Sequence, residues 1–363
     1  MSARTMLSLV AAVLLGSAAP ALAQNPASEG NLLRELLFVP GLSGQEGAVV
    51  DFIQARLPKS LGAQRDAMGN LWFTVGSGGP HLLFVAHTDE LGFTVGSISS
   101  DGLVKLKGRG GFLPQTLEGA PFLVYAAGGP VEGVIRPRPD YDTAKPLPFA
   151  PEAYELDLGL ESAEEARSLG IAEGNAVIPK KRLVELGSGA LACRAVDDRA
   201  GCAALLAAVL QTDWSRVKGR TITCAWSVEE EIGLLGAAAL SRVLKPDAVL
   251  AIDTFVSSDS PLENKRIADA VLGKGAVLRA LDNSSLTPRP ALDRMLALAA
   301  RRKLPVQTAG SRGGNDGSVF VPGGAVDIPL AWPGTYAHSF IEKIYRSDLA
   351  SLVELIKIAM VDY

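Results

Sequence analysis

TCAWSVEEEIGLLGAAAL, residues 223–240, joins an apolar run to three consecutive carboxylates and then to a small-residue helix start. The run from Thr221 to Val228 carries aromatic and β-branched residues and reads as a buried strand. The segment from Leu234 to Leu244 has helical spacing. Strand, acids, helix is one α/β unit, and its apolar flanks place Glu229, Glu230 and Glu231 where like charges repel without water to screen them. Something must hold them. Outward in both directions the same grammar repeats. HLLFVAH (81–87), AVLAID (248–253) and DIPLAW (327–332) read as buried strands. Residues 199–211, 291–302 and 347–360 read as helices. Strands alternating with helices predict an α/β sheet covered by helices on both faces.

The middle of the chain departs from this pattern. Residues 93–183 are rich in Gly, Pro and Val, in short alternating pieces such as GLVKLKG and PFLVYAAGGPVEGVI. They are expected to form a small β-rich domain, barrel or PDZ-like, inserted into a catalytic domain of residues 24–92 and 184–363. RPRPDYDTAKPLPFAPEAY reads as a Pro-rich loop. At the front, MSARTMLSLVAAVLLGSAAPALAQ has a basic start, a short apolar stretch and an Ala-Leu-Ala end. Residues 1–23 are therefore expected to be a cleaved signal peptide, and the protein to be exported, periplasmic or secreted. No later segment reads as a membrane span.

Of 363 residues, 48% are hydrophobic and 20% charged, with a formal net charge of −4. That composition supports a large core and, with no dense Lys/Arg cluster, gives no reason to expect a nucleic-acid partner. Cys193, Cys202 and Cys224 are odd in number and lie in apolar patterns, so they read as small buried hydrophobes.

The polar residues that break the apolar runs fall after strands or before helices, where open α/β sheets bind ligands. LLFVAHTDE ends in His87 and Asp89. RAVDDRAG brings Asp197 and Asp198 to a helix start. The quoted stretch supplies Glu230 and Glu231, VLAIDTF supplies Asp253, and LAWPGTYAHS supplies His338. Singly, each could be a cap; Asp197 suits the N-cap of the following helix. Together, two histidines and several carboxylates are ligands suited to a pair of divalent cations: zinc, with cobalt or manganese as alternatives. His81 begins its strand and reads as structural.

The motifs HTDELGF, AVDDRAGC, VEEEIGLLGA, AIDTF and TYAHS resemble, in order and spacing, the glutamyl/deblocking aminopeptidase family, whose members are two-metal enzymes, some forming tetrahedral particles. The resemblance continues through LDLGLESAEEARSLGIAEGNAVIP, LGKGAVL and the tail HSFIEKIYRSDLASLVELI. It implies a mixed-sheet dinuclear metallopeptidase. His87 and Asp253 would bind one ion, Asp197 would bridge both, and Glu231 and His338 would complete the second. Glu230 would be the general base, and Asp89 would orient His87. It further implies an aminopeptidase acting on short peptides, and a homo-oligomer in contact through the inserted domain.

Some positions depart from the family. GSRGGNDG (310–317) resembles the family's Gly-Gly-Thr-Asp loop near the active site, with Asn315 where threonine is usual; the alternative is a flexible Gly-rich turn. Cys193 and Arg194 precede AVDD where a lysine is common, and Thr335 stands where an arginine commonly precedes Tyr-x-His. Glu229 is expected to face solvent or a basic partner. Glu342 reads as half of an exposed helical pair with Arg346. Competing readings are a hydrolase of N-acyl amino acids on the same ions, a non-catalytic ectodomain, which would have lost ligands, and a glycosidase, which needs no histidines.

Overall fold

In the computed structural model of the chain, residues 28–137, 150–261 and 269–363 are described. The proposed leader, residues 1–23, and most of the Pro-rich loop, residues 138–149, lie outside them. The chain opens with α1 (Glu29–Leu36), whose Ser28 cap accepts from the Asn31 N–H at 3.4 Å, and α2 (Gly47–Arg56). Strands β1 (Gln64–Arg65), β2 (Leu71–Gly76) and β3 (His81–His87) follow. Next come β4 (Gly92–Ile98), β5 (Val104–Arg109), β6 (Pro121–Ala126), β7 (Gly129–Ile135), β8 (Glu155–Asp157), α3 (Ala163–Ser168) and β9 (Ala176–Pro179). The chain then forms β10 (Val184–Glu185), β11 (Ala190–Cys193), α4 (Val196–Gln211), β12 (Thr221–Ser227), α5 (Leu235–Val243) and β13 (Ala248–Val256). It ends with β14 (Ala276–Leu281), α6 (Arg289–Arg301), β15 (Val306–Gly310), β16 (Val326–Asp327), β17 (Leu330–Gly334), β18 (Glu342–Tyr345) and α7 (Arg346–Asp362).

The main sheet is mixed, in the order β1-β2-β12-β3-β13-β17-β14-β15, with β16 beside β13. Strands β12, β3, β13 and β17 run parallel, while β2 and β14 join them antiparallel. Side chains alternate across a strand. Leu82, Phe84 and Ala86 accordingly enter the large core with α1, α4, α6 and α7. Leu83 and Val85 pack instead with Ala237 and Leu240 of α5 and with Phe320. In the opening stretch, Gly236 lets helix α5 begin hard against its strand: its N–H donates to the Val228 carbonyl at 3.0 Å. A Cβ there would sit 2.2 Å from that oxygen. DIPLAW does not form one strand. It divides into β16 and β17 around Pro329, which has no N–H to give to a ladder.

The middle strands close into a six-stranded barrel, β4-β5-β8-β7-β6-β9, which leaves no open edge. It is filled by Phe93, Phe112, Phe122, Val95, Leu106 and Leu156. Phe340, from the segment after His338, packs 5.3 Å from the Phe122 ring and 6.1 Å from Phe112, joining the barrel core to a site loop. The three cysteines are free and buried. Among the described residues no helix is long and apolar enough to cross a membrane.

Candidate metal centre

Strand register assembles the site. Ser227 pairs with His87, and Ile252 pairs with Ala86. Asp253 is therefore in register with His87 and Ser227, although β13 itself runs on to Val256, and the Glu230–Glu231 segment follows β12 on the same side. Asp197 enters from the start of α4, where φ −77° and ψ 112° turn it out of the helix; its peptide to Asp198 is cis. His338 follows β17 in a left-handed conformation, φ 62°.

Two donor groups result. His87, Asp197 and Asp253 each place one ligand atom within 4.8 Å of the others, and so do Asp197, Glu231 and His338. Asp197 belongs to both. Its Oδ1 is 3.3 Å from His87 Nε2, and its Oδ2 is 3.8 Å from His338 Nε2. Glu231 Oε2 is 3.6 Å from the same His338 nitrogen. These distances are too long for good hydrogen bonds. Asp197 Oδ1 and Glu231 Oε1 are buried without a hydrogen bond, a costly arrangement unless a cation meets them. The donor set therefore fits divalent ions.

Electrostatics give the same answer. Burial drives Glu230 well above the usual carboxylate range, with Asp253, Glu231 and Asp316 adding to the rise and His87 opposing it. Glu231 is pushed up to about 8, by burial and then by Asp197. Burial pulls His87 down, but the Asp197 and Asp89 carboxylates overcome it and raise the imidazole well above its ordinary value. Arg279, 3.6 Å from Asp253, partly offsets the burial that raises that carboxyl.

All seven residues singled out from sequence meet here. His87, Asp197, Glu230, Glu231, Asp253 and His338 line one cavity of about 420 Å³, together with Leu113, Val256, Ser311 and Tyr336. Asp89 lies behind His87, fully buried, and its Oδ1 is 3.2 Å from His87 Nδ1. Glu229 takes a left-handed conformation; its N–H donates to Glu46 at 3.0 Å, and its side chain lies against Gly44.

Two sequence readings need correction. Glu342 is not an exposed partner of Arg346. It is 1% exposed and ion-paired with Arg194, while Arg346 pairs with Glu185 at 2.9 Å. The i,i+4 rule failed because Glu342 lies on strand β18 and helix α7 begins only at Arg346. Nor is GGND a flexible turn. Asn315 is fully buried; its amide donates to Asp282 at 2.8 Å and Asp327 at 3.1 Å, and its oxygen accepts from the Gly317 N–H at 2.7 Å. Asp316, in the loop that the family likeness set near the active site but given no role from sequence, is buried and takes a hydrogen bond from the Ser227 hydroxyl.

Acids and imidazoles gathered at the strand ends of a mixed α/β sheet define the class, a metal-dependent hydrolase. The family follows from comparison. Residues 69–355 match the M42 glutamyl aminopeptidase family, and the chain belongs to it. It is 29% identical over 336 residues to the putative aminopeptidase FrvX of Escherichia coli, covering 90% of this chain and 93% of that one. To the glutamyl aminopeptidase of Lactococcus lactis it is 28% identical over 330 residues, covering 87% and 91%. Among solved structures it is similar to the TET1 peptidase of Pyrococcus horikoshii, with a TM-score of 0.84, 30% identity, and coverage of 93% of this chain and 100% of that one. The protein is thus a metal-dependent aminopeptidase, a hydrolase. The comparisons overturn the expectation of a periplasmic or secreted protein. The likeness takes in the whole TET1 chain with 93% of this one. The segment that suggested export belongs neither to the family match, which begins at residue 69, nor to the described residues.

Proposed function

We propose that the protein removes N-terminal residues from short peptides using two divalent ions, zinc in the first instance with cobalt or manganese able to substitute. The observation that carries this reading is the membership of Asp197 in both donor groups. His87 and Asp253 hold one ion with it, and Glu231 and His338 the other. Imidazole plus carboxylate is a donor set that suits zinc. When bound, such a pair polarises the scissile carbonyl and acidifies the attacking water. Glu230, on the cavity wall beside Glu231, takes the proton from water and passes it to the leaving amine. Asp89 fixes the His87 tautomer by accepting from Nδ1, so that Nε2 faces the ions. Leu113, Val256 and Tyr336 give the cavity an apolar patch against which a peptide side chain can lie, while Ser260, Arg279, Ser311 and Arg312 make the remaining wall polar.

Residues 93–183 act as the inserted domain, and residues 24–92 with 184–363 as the catalytic one; the separate barrel core supports this division. The TET1 peptidase can assemble into a tetrahedron or a large octahedral shell, and we read this chain too as a homo-oligomer, with the barrel as a contact surface. The test is metal analysis of the purified protein, with release of the first residue measured on a free-amine peptide and on its N-acetylated analogue. Two ions per chain and chelator-sensitive cleavage of the free-amine peptide alone are expected. Full activity without metal, or preference for the acylated peptide, overturns the reading.

A further inference from the structure

Glu342 takes no part in the reaction as described, yet it joins two segments that carry metal donors. Its Oε2 accepts the Asp197 backbone N–H at 3.1 Å. Its Oε1 accepts the His338 backbone N–H at 3.0 Å and also meets the Arg194 guanidinium. Arg194 reaches on to the Ser339 carbonyl at 3.3 Å. Both side chains of the pair are 1–2% exposed.

Neither amide has another route to a partner in regular structure. The Asp197 N–H belongs to the first turn of α4, where helix amides lack an acceptor within the helix. His338 is left-handed, outside any ladder. Glu342 itself is firmly mounted: strand β18 pairs with β11, and Glu342 stands opposite Cys193, one residue before Arg194. The three-stranded sheet β10-β11-β18 is thus a bracket fixed beside the site.

We propose that Glu342 is a positioning residue. Its carboxylate, held by Arg194, sets the Asp197 backbone against the His338 backbone, so that the Asp197–Glu231–His338 donor group can close on an ion. This rests on the two-ion reading above. Both carboxylate oxygens must accept, so an amide of the same shape cannot replace it: one end of glutamine would present N–H to N–H. Two of the three donors in this group depend on Glu342. In the His87–Asp197–Asp253 group only one does, the other two being held by β3 and β13.

The test uses metal-free full-length protein, zinc titration against a competing chelator, cobalt(II) visible absorption, and melting of the metal-free form. Wild type is expected to bind two ions. Glu342→Gln should hold one ion with the smaller loss and bind the other about 10–100-fold more weakly, the range seen when groups supporting metal ligands are removed. Its cobalt spectrum should lose one component. Arg194→Lys, which keeps Glu342 paired with a cation, should retain both ions. If Glu342→Gln does not fold, Glu342→Asp carries the test, since its carboxylate is withdrawn by one methylene, and it should weaken one ion selectively. Two ions held as tightly as in wild type overturn the proposal while leaving the two-ion reading intact. So does loss of both ions in step with a lower melting temperature. A wild type that binds fewer than two ions overturns both.

Discussion

The Asp89 carboxylate accepts four hydrogen bonds: from Ser43 Oγ at 2.6 Å, His87 Nδ1 at 3.2 Å, and the backbone N–H groups of Glu230 at 3.0 Å and Glu231 at 3.1 Å. One buried charge therefore orients His87 and anchors the segment after β12 that carries Glu230 and Glu231. Asp89→Asn must turn an N–H toward one of these donors, and zinc affinity is expected to fall about 10–100-fold in a chelator-competition titration. Glu230→Gln should instead leave the metal content unchanged and lower kcat about 10²–10⁴-fold with little change in KM, measured on an aminoacyl substrate. Asp327 shows the cost of burial away from the ions. Burial pushes its carboxyl up to about 6, against hydrogen bonds from Ser285 and Asn315. Between its ordinary pKa and 6 the folded chain binds a proton that the unfolded chain has lost, so stability falls as pH rises through that window. Asp327→Asn should remove about 1–3 kcal/mol of that decline, read from denaturant unfolding at pH 4 and pH 7.

Helix α4 and the two crossings into the barrel are fastened together at one point. Glu90, just before β4, receives Lys181, just after β9, at 2.6 Å and Arg199 of α4 at 3.2 Å. Arg199 also donates to the carbonyls of Thr88 and Val39. The Glu90 and Arg199 side chains are fully buried and that of Lys181 is 6% exposed. Removing one partner leaves buried charge uncompensated, so Glu90→Gln should cost about 3–5 kcal/mol in urea unfolding. Glu132→Gln, which breaks the exposed pair with Lys180 at 2.7 Å, should cost less than about 1 kcal/mol. Element limits were mostly legible from periodicity: the expected strand over 81–87 is β3 itself. The helix read from Arg199 is the regular part of α4: a turn opens at Val196, but Asp197 and Asp198 leave helical geometry before the continuous helix runs on from Arg199.

At the scale of the molecule, ions that bind only the folded chain must stabilise it. At a free concentration 100 times Kd, each site contributes about 2.7 kcal/mol. Chelation is therefore expected to abolish peptide cleavage and lower Tm together, and added zinc to restore both, followed by parallel activity and melting measurements. Light scattering of the purified protein should give a mass several times that of one chain if the barrel is a contact surface.

The run of apolar strands ending in acids and histidines was readable without coordinates, because side-chain alternation and strand-end placement are local consequences of residue type. So was the candidate set His87, Asp197, Glu231, Asp253 and His338: each could singly be a cap, but their order and spacing marked them together, and the fold gathers them into two donor groups. The role of Glu342 was not readable. Its partners, Arg194, Asp197 and His338, belong to segments that meet only when β11 and β18 pair. Nor was the buried Asn315 bridge, which depends on Asp282 and Asp327 arriving from two other stretches of chain. A sequence states which groups can donate, accept or bind a cation; the packing of distant segments decides which of them meet with water excluded.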